Sequence, residues 1–202
     1  DKNGKIIGLY TQDPLQQHSL VRQCNDRAYT VLIMDNVIDN HFIQHLEYKA
    51  DLSFKRVDSE TIDHLIEKDI KNESVLTEAE ENKIKEIFTS LSFNKATATQ
   101  TKALSPEDDP VHIVRPEFMR RMSEMQHMMT AMKGETGDLF KDSYNLIINT
   151  NHPIIARKMN ELAEDGSKIE MATYLTQLAL LNQNMLKGEE LTNFIKHALE
   201  KV

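Results

Sequence analysis

Short apolar runs and stretches of helical periodicity take turns along the N-terminal part of the chain. KIIGLYT (Lys5 to Thr11) is apolar and β-branched, and Asp13-Pro14 after it is suited to capping and starting a helix. Leu15, Ser19, Leu20 and Cys24 then recur at helical spacing. TVLIMD (Thr30 to Asp35) is a near-continuous apolar run of the kind buried on both faces of a parallel sheet. Asp39 to Lys49 carries Phe42, Ile43 and Leu46 on one helical face, and FKRVD (Phe54 to Asp58) alternates as a third strand. The order strand, helix, strand, helix, strand predicts a small parallel sheet with right-handed crossover helices. Such sheets often bind nucleotides. Here no GxGxxG follows Thr11 and no GxxxxGK occurs, so no glycine turn brings backbone amides to a phosphate.

Between Ile66 and Glu81 the pattern turns polar and acidic, which places a domain boundary near Asn72. Thr77 and Glu80 have the spacing of a capping box. The helix they open, Thr77 to Leu91, turns Ile84, Ile87, Phe88 and Leu91 to one side. Two β-like segments follow, Lys95 to Leu104 and Val111 to Arg115, separated by the solvated loop SPEDDP, which predicts a hairpin-like element. KGETGD (Lys133 to Asp138) reads as a loop. SYNLIINTNHPIIARKMNELA reads as a helix, a break at Thr150 to Pro153, and a second helix started by Pro153. Met171 to Asn184 and Glu189 to Leu199 are two strongly apolar helices joined by a short loop. On the first, Met171, Tyr174, Leu175, Leu178 and Leu181 line one side while Ala179 and Leu180 widen it; on the second, Leu191, Phe194, Ile195, Ala198 and Leu199 do so. A helical hairpin with that much apolar surface either packs within its own chain or closes into a dimeric four-helix bundle with a second copy.

The densest pattern is Phe118 to Met132, FMRRMSEMQHMMTAM, which holds six of the chain's ten methionines. As a helix it places Phe118, Met122, Met125, Met128, Met129 and Met132 within an arc of roughly 120°, with Met119 near its N-terminal end. Arg120, Ser123, Glu124, His127 and Thr130 fall opposite. Methionine is unbranched and polarizable, so such a stripe moulds to many apolar partners; it specifies a fixed core poorly. Burial in the domain's own core and exposure as an adaptable binding face are both open at this point.

Composition adds bounds. The chain's 202 residues can hold one domain or two small ones, and 40% hydrophobic with 28% charged residues reads as globular. A net charge of −8 without a basic cluster argues against nucleic acid or an anionic membrane as partner. Cys24 has no partner for a disulfide, no apolar run is long enough to cross a bilayer, and no signal peptide opens the chain, so a soluble cytoplasmic protein is expected. The start at Asp1, without an initiator methionine, reads as a fragment of something longer. Catalytic signals are weak. His41 and His45 have the i, i+4 spacing of a zinc pair but lack a glutamate and a third ligand, and His18, His64, His112, His127, His152 and His197 are scattered. No nucleophile elbow or Cys-His signature occurs. The expectation is no catalytic residue, no metal and no cofactor within this stretch.

The order of segments resembles the heat-shock protein 90 family of ATP-driven chaperones, in its bacterial form, over nearly the whole chain. RAYTVLIMDNVIDNHFIQHLE (Arg27 to Glu47) is similar to a segment near the end of the family's middle domain, NTNHPII (Asn149 to Ile155) to its helix break, and QLALL (Gln177 to Leu181) to its dimerisation helix. The resemblance implies that residues 1–72 are the last α/β part of the middle domain and 73–202 the C-terminal dimerisation domain. It implies a homodimer through the two terminal helices and a client-contacting role for Phe118, Met119, Met122, Met125, Met128, Met129 and Met132. ATP and Mg would bind upstream, outside this stretch. No acidic MEEVD tail for tetratricopeptide co-chaperones is seen, and the loop Met185 to Glu190 lacks the family's Gly-Gly and Asp-Pro, which blurs the start of the last helix. The fold class expected is α+β: a small α/β subdomain, then a mostly helical domain with a hairpin-like element and a dimeric helical bundle. A dimeric scaffold with a buried methionine core, and a small α/β enzyme with its site at the strand ends, are the alternatives.

Overall fold

The computed structural model describes residues 4–36, 38–66, 72–91, 96–123, 126 and 143–200. The chain divides into two compact units, one from residues 1–71 with 114–141, the other from 72–113 with 142–202.

In the first unit, β1 (Ile6–Thr11), β2 (Val31–Ile33) and β3 (Leu52–Arg56) form a parallel sheet in the order β2-β1-β3. Side chains alternate across a strand, so successive residues of β1 enter different cores. Leu9 meets Leu20 and Cys24 of α1 (His18–Asp26), with Val57 and with Ile62 and Leu65 of α3 (Ile62–Leu65). Tyr10 meets Ile43 of α2 (Asp39–Lys49) and Phe54 of β3. Gly8 lies opposite Phe54, whose ring covers it: a Cβ there would stand 2.7 Å from a ring carbon. The ring meets Tyr10 edge-on at 6.4 Å.

Two expectations change here. Thr30 to Asp35 is not a strand buried on both faces; only Val31–Ile33 is extended, at the sheet edge, with Leu32 and Ile33 exposed. Hydrophobicity alone does not say how many neighbours a strand has. Leu15 precedes α1 and is exposed, because Asp13 accepts the N–H groups of Leu15 and Gln16, both at 3.0 Å, and holds a turn before the helix.

In the second unit, β4 (Ala98–Lys102) runs parallel to β6 (Asn145–Asn149), and β5 (Val111–Val114) lies on the other side of β6. The hairpin-like element is therefore corrected: its two strands are separated by a third, and that third is the stretch expected to be a helix. NLIIN is a short apolar run, and its Leu146, Ile147 and Ile148 are buried on both faces. The break after it stands where expected. Asn149, fully buried, accepts from the Leu104 and Asn151 amides at 3.2 and 3.1 Å and donates to the Ser105 carbonyl at 2.8 Å. Asn151 binds the Val75 amide and the Glu73 carbonyl at 3.0 and 3.1 Å, so NTNH knots two loops to the strand end. After it comes a π-helix, Ile154–Met159.

α4 (Glu78–Thr89) begins with the expected capping box, Thr77 and Glu80 each bonding the other's backbone amide. It packs Ile84 and Phe88 into one core with Leu146, Ile148, Ile155 and Met159. That core also takes Ala172, Leu175 and Leu180 of α6 (Asp165–Asn182) and Phe194 of α7 (Gly188–Leu199).

Candidate functional site

Residues 117–123 are helical and form α5, the start of the methionine-rich stretch. The side turned inward is the polar one. Arg120 and Ser123 are 5% and 6% exposed, Phe118 is 72% exposed, and Met119 and Met122 are half-buried. Met125, Met128, Met129 and Met132, and the loop Lys133 to Asp138, lie outside the described residues.

A polar network at the ends of β1 and β3 holds that face. The Tyr10 hydroxyl donates to Glu117 Oε1 at 3.0 Å and accepts from Arg120 Nη2 at 2.6 Å, while Arg120 also pairs with Glu117. The Arg120 guanidinium lies 5.8 Å from the Tyr10 ring centroid, in cation–π range. Arg121 joins Glu117 at 3.0 Å to Glu47 of α2 at 2.9 Å, and Glu47 also accepts the Phe54 amide at 2.7 Å. Next to it, Arg56 grips Asp58 with two bonds of 2.6 and 2.7 Å and donates to Gln12.

Burial alone would push the Glu117 carboxyl up, but the hydrogen bonds and charges of Arg120 and Arg121 outweigh it and hold the group below the ordinary glutamate range. For Glu47 the same burial is outweighed by Arg121 and the Phe54 amide. The Tyr10 hydroxyl is pushed up, first by burial and then by the Glu117 charge. Removing one partner of such a buried pair leaves an uncompensated charge and costs about 3–5 kcal/mol.

Where a small parallel sheet of this order binds a ligand, it does so at the carboxyl ends of its strands. Here Arg56, Arg120 and Arg121 are paired with Asp58, Glu117 and Glu47, and no glycine turn follows β1. That donor set does not fit a nucleoside triphosphate.

The ten residues expected to mediate dimerisation separate into groups. Leu175 and Phe194 are buried within the chain, and Met171, Tyr174, Leu191 and Ala198 are half-buried, with the Tyr174 and Phe194 rings 5.6 Å apart. Leu178, Leu181, Ile195 and Leu199 are exposed, Leu199 by 69%. α6 buries Ala172, Leu175, Thr176 and Leu180 and so carries apolar residues beyond its buried side. Among the described residues, no cluster of metal-ligating side chains occurs and no helix is long and apolar enough to cross a membrane.

Sequence reasoning missed Tyr10, Glu47 and Glu117. The Glu117 spacing to Arg120 and Arg121 resembles any solvated helix face, and the buried hydroxyl that changes its meaning lies 107 residues away in the chain.

The family model for Hsp90 protein matches residues 7–200. The chain belongs to the Hsp90 family. It is 34% identical to the Chaperone protein HtpG of Porphyromonas gingivalis over 182 residues, 88% of this chain and 26% of that one. Against the Chaperone protein HtpG of Bacteroides thetaiotaomicron it is 28% identical over 275 aligned positions, covering all of this chain and 39% of that one. A Bacteroides fragilis HtpG is 27% identical over the same span. These relatives place the chain with the bacterial form of the family, and it spans between a quarter and two fifths of their length.

Proposed function

We propose that this chain is the part of a bacterial Hsp90-type chaperone that joins two copies and contacts unfolded protein, residues 1–72 being the end of the middle domain and 73–202 the dimerisation domain. The observation that carries the client role is the orientation of α5: its cationic and hydroxyl side chains face inward and Phe118 faces out. A contiguous apolar patch built out from Phe118, with the half-buried Met119 and Met122 beside it, would be costly to solubility, and soluble proteins keep such a patch chiefly where something binds. In the sequence, Met125 and Met129 follow Met122 three and seven positions on, which is the spacing of a helical face. Homodimerisation rests on the exposed Leu178, Leu181, Ile195 and Leu199. ATP binding and hydrolysis, with Mg, belong to parts of the protein outside this stretch, and the whole acts in the cytoplasm without nucleic acid or membrane as partner.

Replacing Met122, Met125 and Met129 by serine tests the client role. The expected result is an unchanged melting temperature with loss of the ability to keep a denatured client from aggregating. A collapse of the melting temperature instead, by the well over ~5 kcal/mol that three emptied core sites would cost, makes the stripe core and overturns the reading.

A further inference from the structure

We infer that Glu117 is a positioning residue for the client face, setting the rotation of α5 about its axis through Tyr10, Arg120 and Arg121; this rests on the client-contact reading above. An amphipathic helix left to itself turns its apolar side inward. In α5 the reverse holds. The buried Tyr10 hydroxyl, approached from one side by Glu117 and from the other by Arg120, is satisfied only when the polar side of the helix faces the sheet. Arg121 adds a second fixed point on α2 through Glu47, out of line with the first. Two fixed points define a rotation, and that rotation leaves Phe118 pointing to solvent. Glu117 is the member common to both, since it bonds Tyr10, Arg120 and Arg121. Replacing its carboxylate by an amide keeps the shape but removes the charge that both arginines bind, so the helix is released to roll its apolar side toward the protein.

The experiment uses the whole chain with Glu117→Gln, the serine triple variant at Met122, Met125 and Met129, and the two combined. Hydrogen peroxide footprinting with mass spectrometry reads the oxidation rate of Met122, and a light-scattering assay reads suppression of aggregation of a denatured client. Expected for Glu117→Gln are slower oxidation of Met122, loss of suppression, and secondary structure retained by circular dichroism. In the combined variant the amide adds nothing to the loss already caused by the serines. If the serine triple variant suppresses aggregation as the unmodified chain does, the client-contact reading itself fails. If that variant loses suppression while Glu117→Gln keeps both suppression and the Met122 rate, the positioning role alone is overturned. Should Glu117→Gln lose secondary structure, Tyr10→Phe, which removes one hydroxyl and keeps the ring, gives the same two readouts: slower oxidation with weaker suppression supports the role, and unchanged values sink it.

Discussion

Ala28 has φ +57°, a left-handed conformation that side chains with a Cβ adopt at a cost. It stands just past the end of α1, where its amide reaches the Asn25 carbonyl at 2.8 Å and the Tyr29 amide reaches Cys24 at 3.0 Å. Those two bonds make a Schellman ending, and α6 ends in the same way with Asn184 at φ +54°. Asparagine tolerates the position; alanine is strained there. The strain is worth about 1–2 kcal/mol. Glycine would relieve it but free the unfolded chain by about 0.4–1 kcal/mol. The first effect wins. Ala28→Gly should therefore raise stability by about 0.5–1 kcal/mol, seen as a higher urea midpoint with an unchanged slope. A lower midpoint would mean that the alanine methyl makes a contact worth more than the strain.

At the scale of elements, α5 and the sheet beneath it are joined through carboxylates, and this gives them a pH dependence. Glu117 and Glu47 titrate below the ordinary glutamate range when folded. A depressed folded value contributes stability that is fully present above the unfolded value, about 4.3, and is lost as pH falls through the folded one. Urea midpoints measured from pH 6 downward should hold nearly level, then fall steeply below about pH 4.3. In Glu117→Gln that acid limb should be shallower, and an identical limb would show that Glu117 does not supply it. The sequence disclosed those elements whose cause is local. The capping box at Thr77 and Glu80 needs only residues three apart, and α2 falls at Asp39–Lys49 because its periodicity and ends lie within one stretch. β6 was not legible, since a short run such as NLIIN suits a buried strand and a buried helix equally and its neighbours in the sheet come from distant segments. The inward polar side of α5 was hidden for the same reason, because Tyr10 is remote in sequence.

For the molecule as a whole, the proposed dimerisation assigns the state of association to the two terminal helices. Leu175 and Phe194 are taken up by the chain's own core, while Leu178, Leu181, Ile195 and Leu199 stay exposed and are the residues that the proposal has meet a second copy. A two-fold axis would bury each twice, so Leu178→Glu places two carboxylates in one interface at a cost of several kcal/mol. Multi-angle light scattering should find the unmodified chain dimeric and Leu178→Glu monomeric at micromolar concentration; a monomeric unmodified chain defeats the proposal. The first unit is discontinuous, and this bears on how the protein is made. Its sheet and three helices are complete once the residues up to Lys71 have emerged, yet the hydroxyl of Tyr10 finds Glu117 only 107 residues after its own synthesis. At a ribosome's pace of about 5–20 residues per second, the completed sheet waits roughly 2–9 s for that residue. Throughout that wait the nascent chain carries a sheet whose Tyr10 hydroxyl has water in place of Glu117 and Arg120, so this unit reaches its sealed form only after residues 72–113 of the other unit have been synthesised.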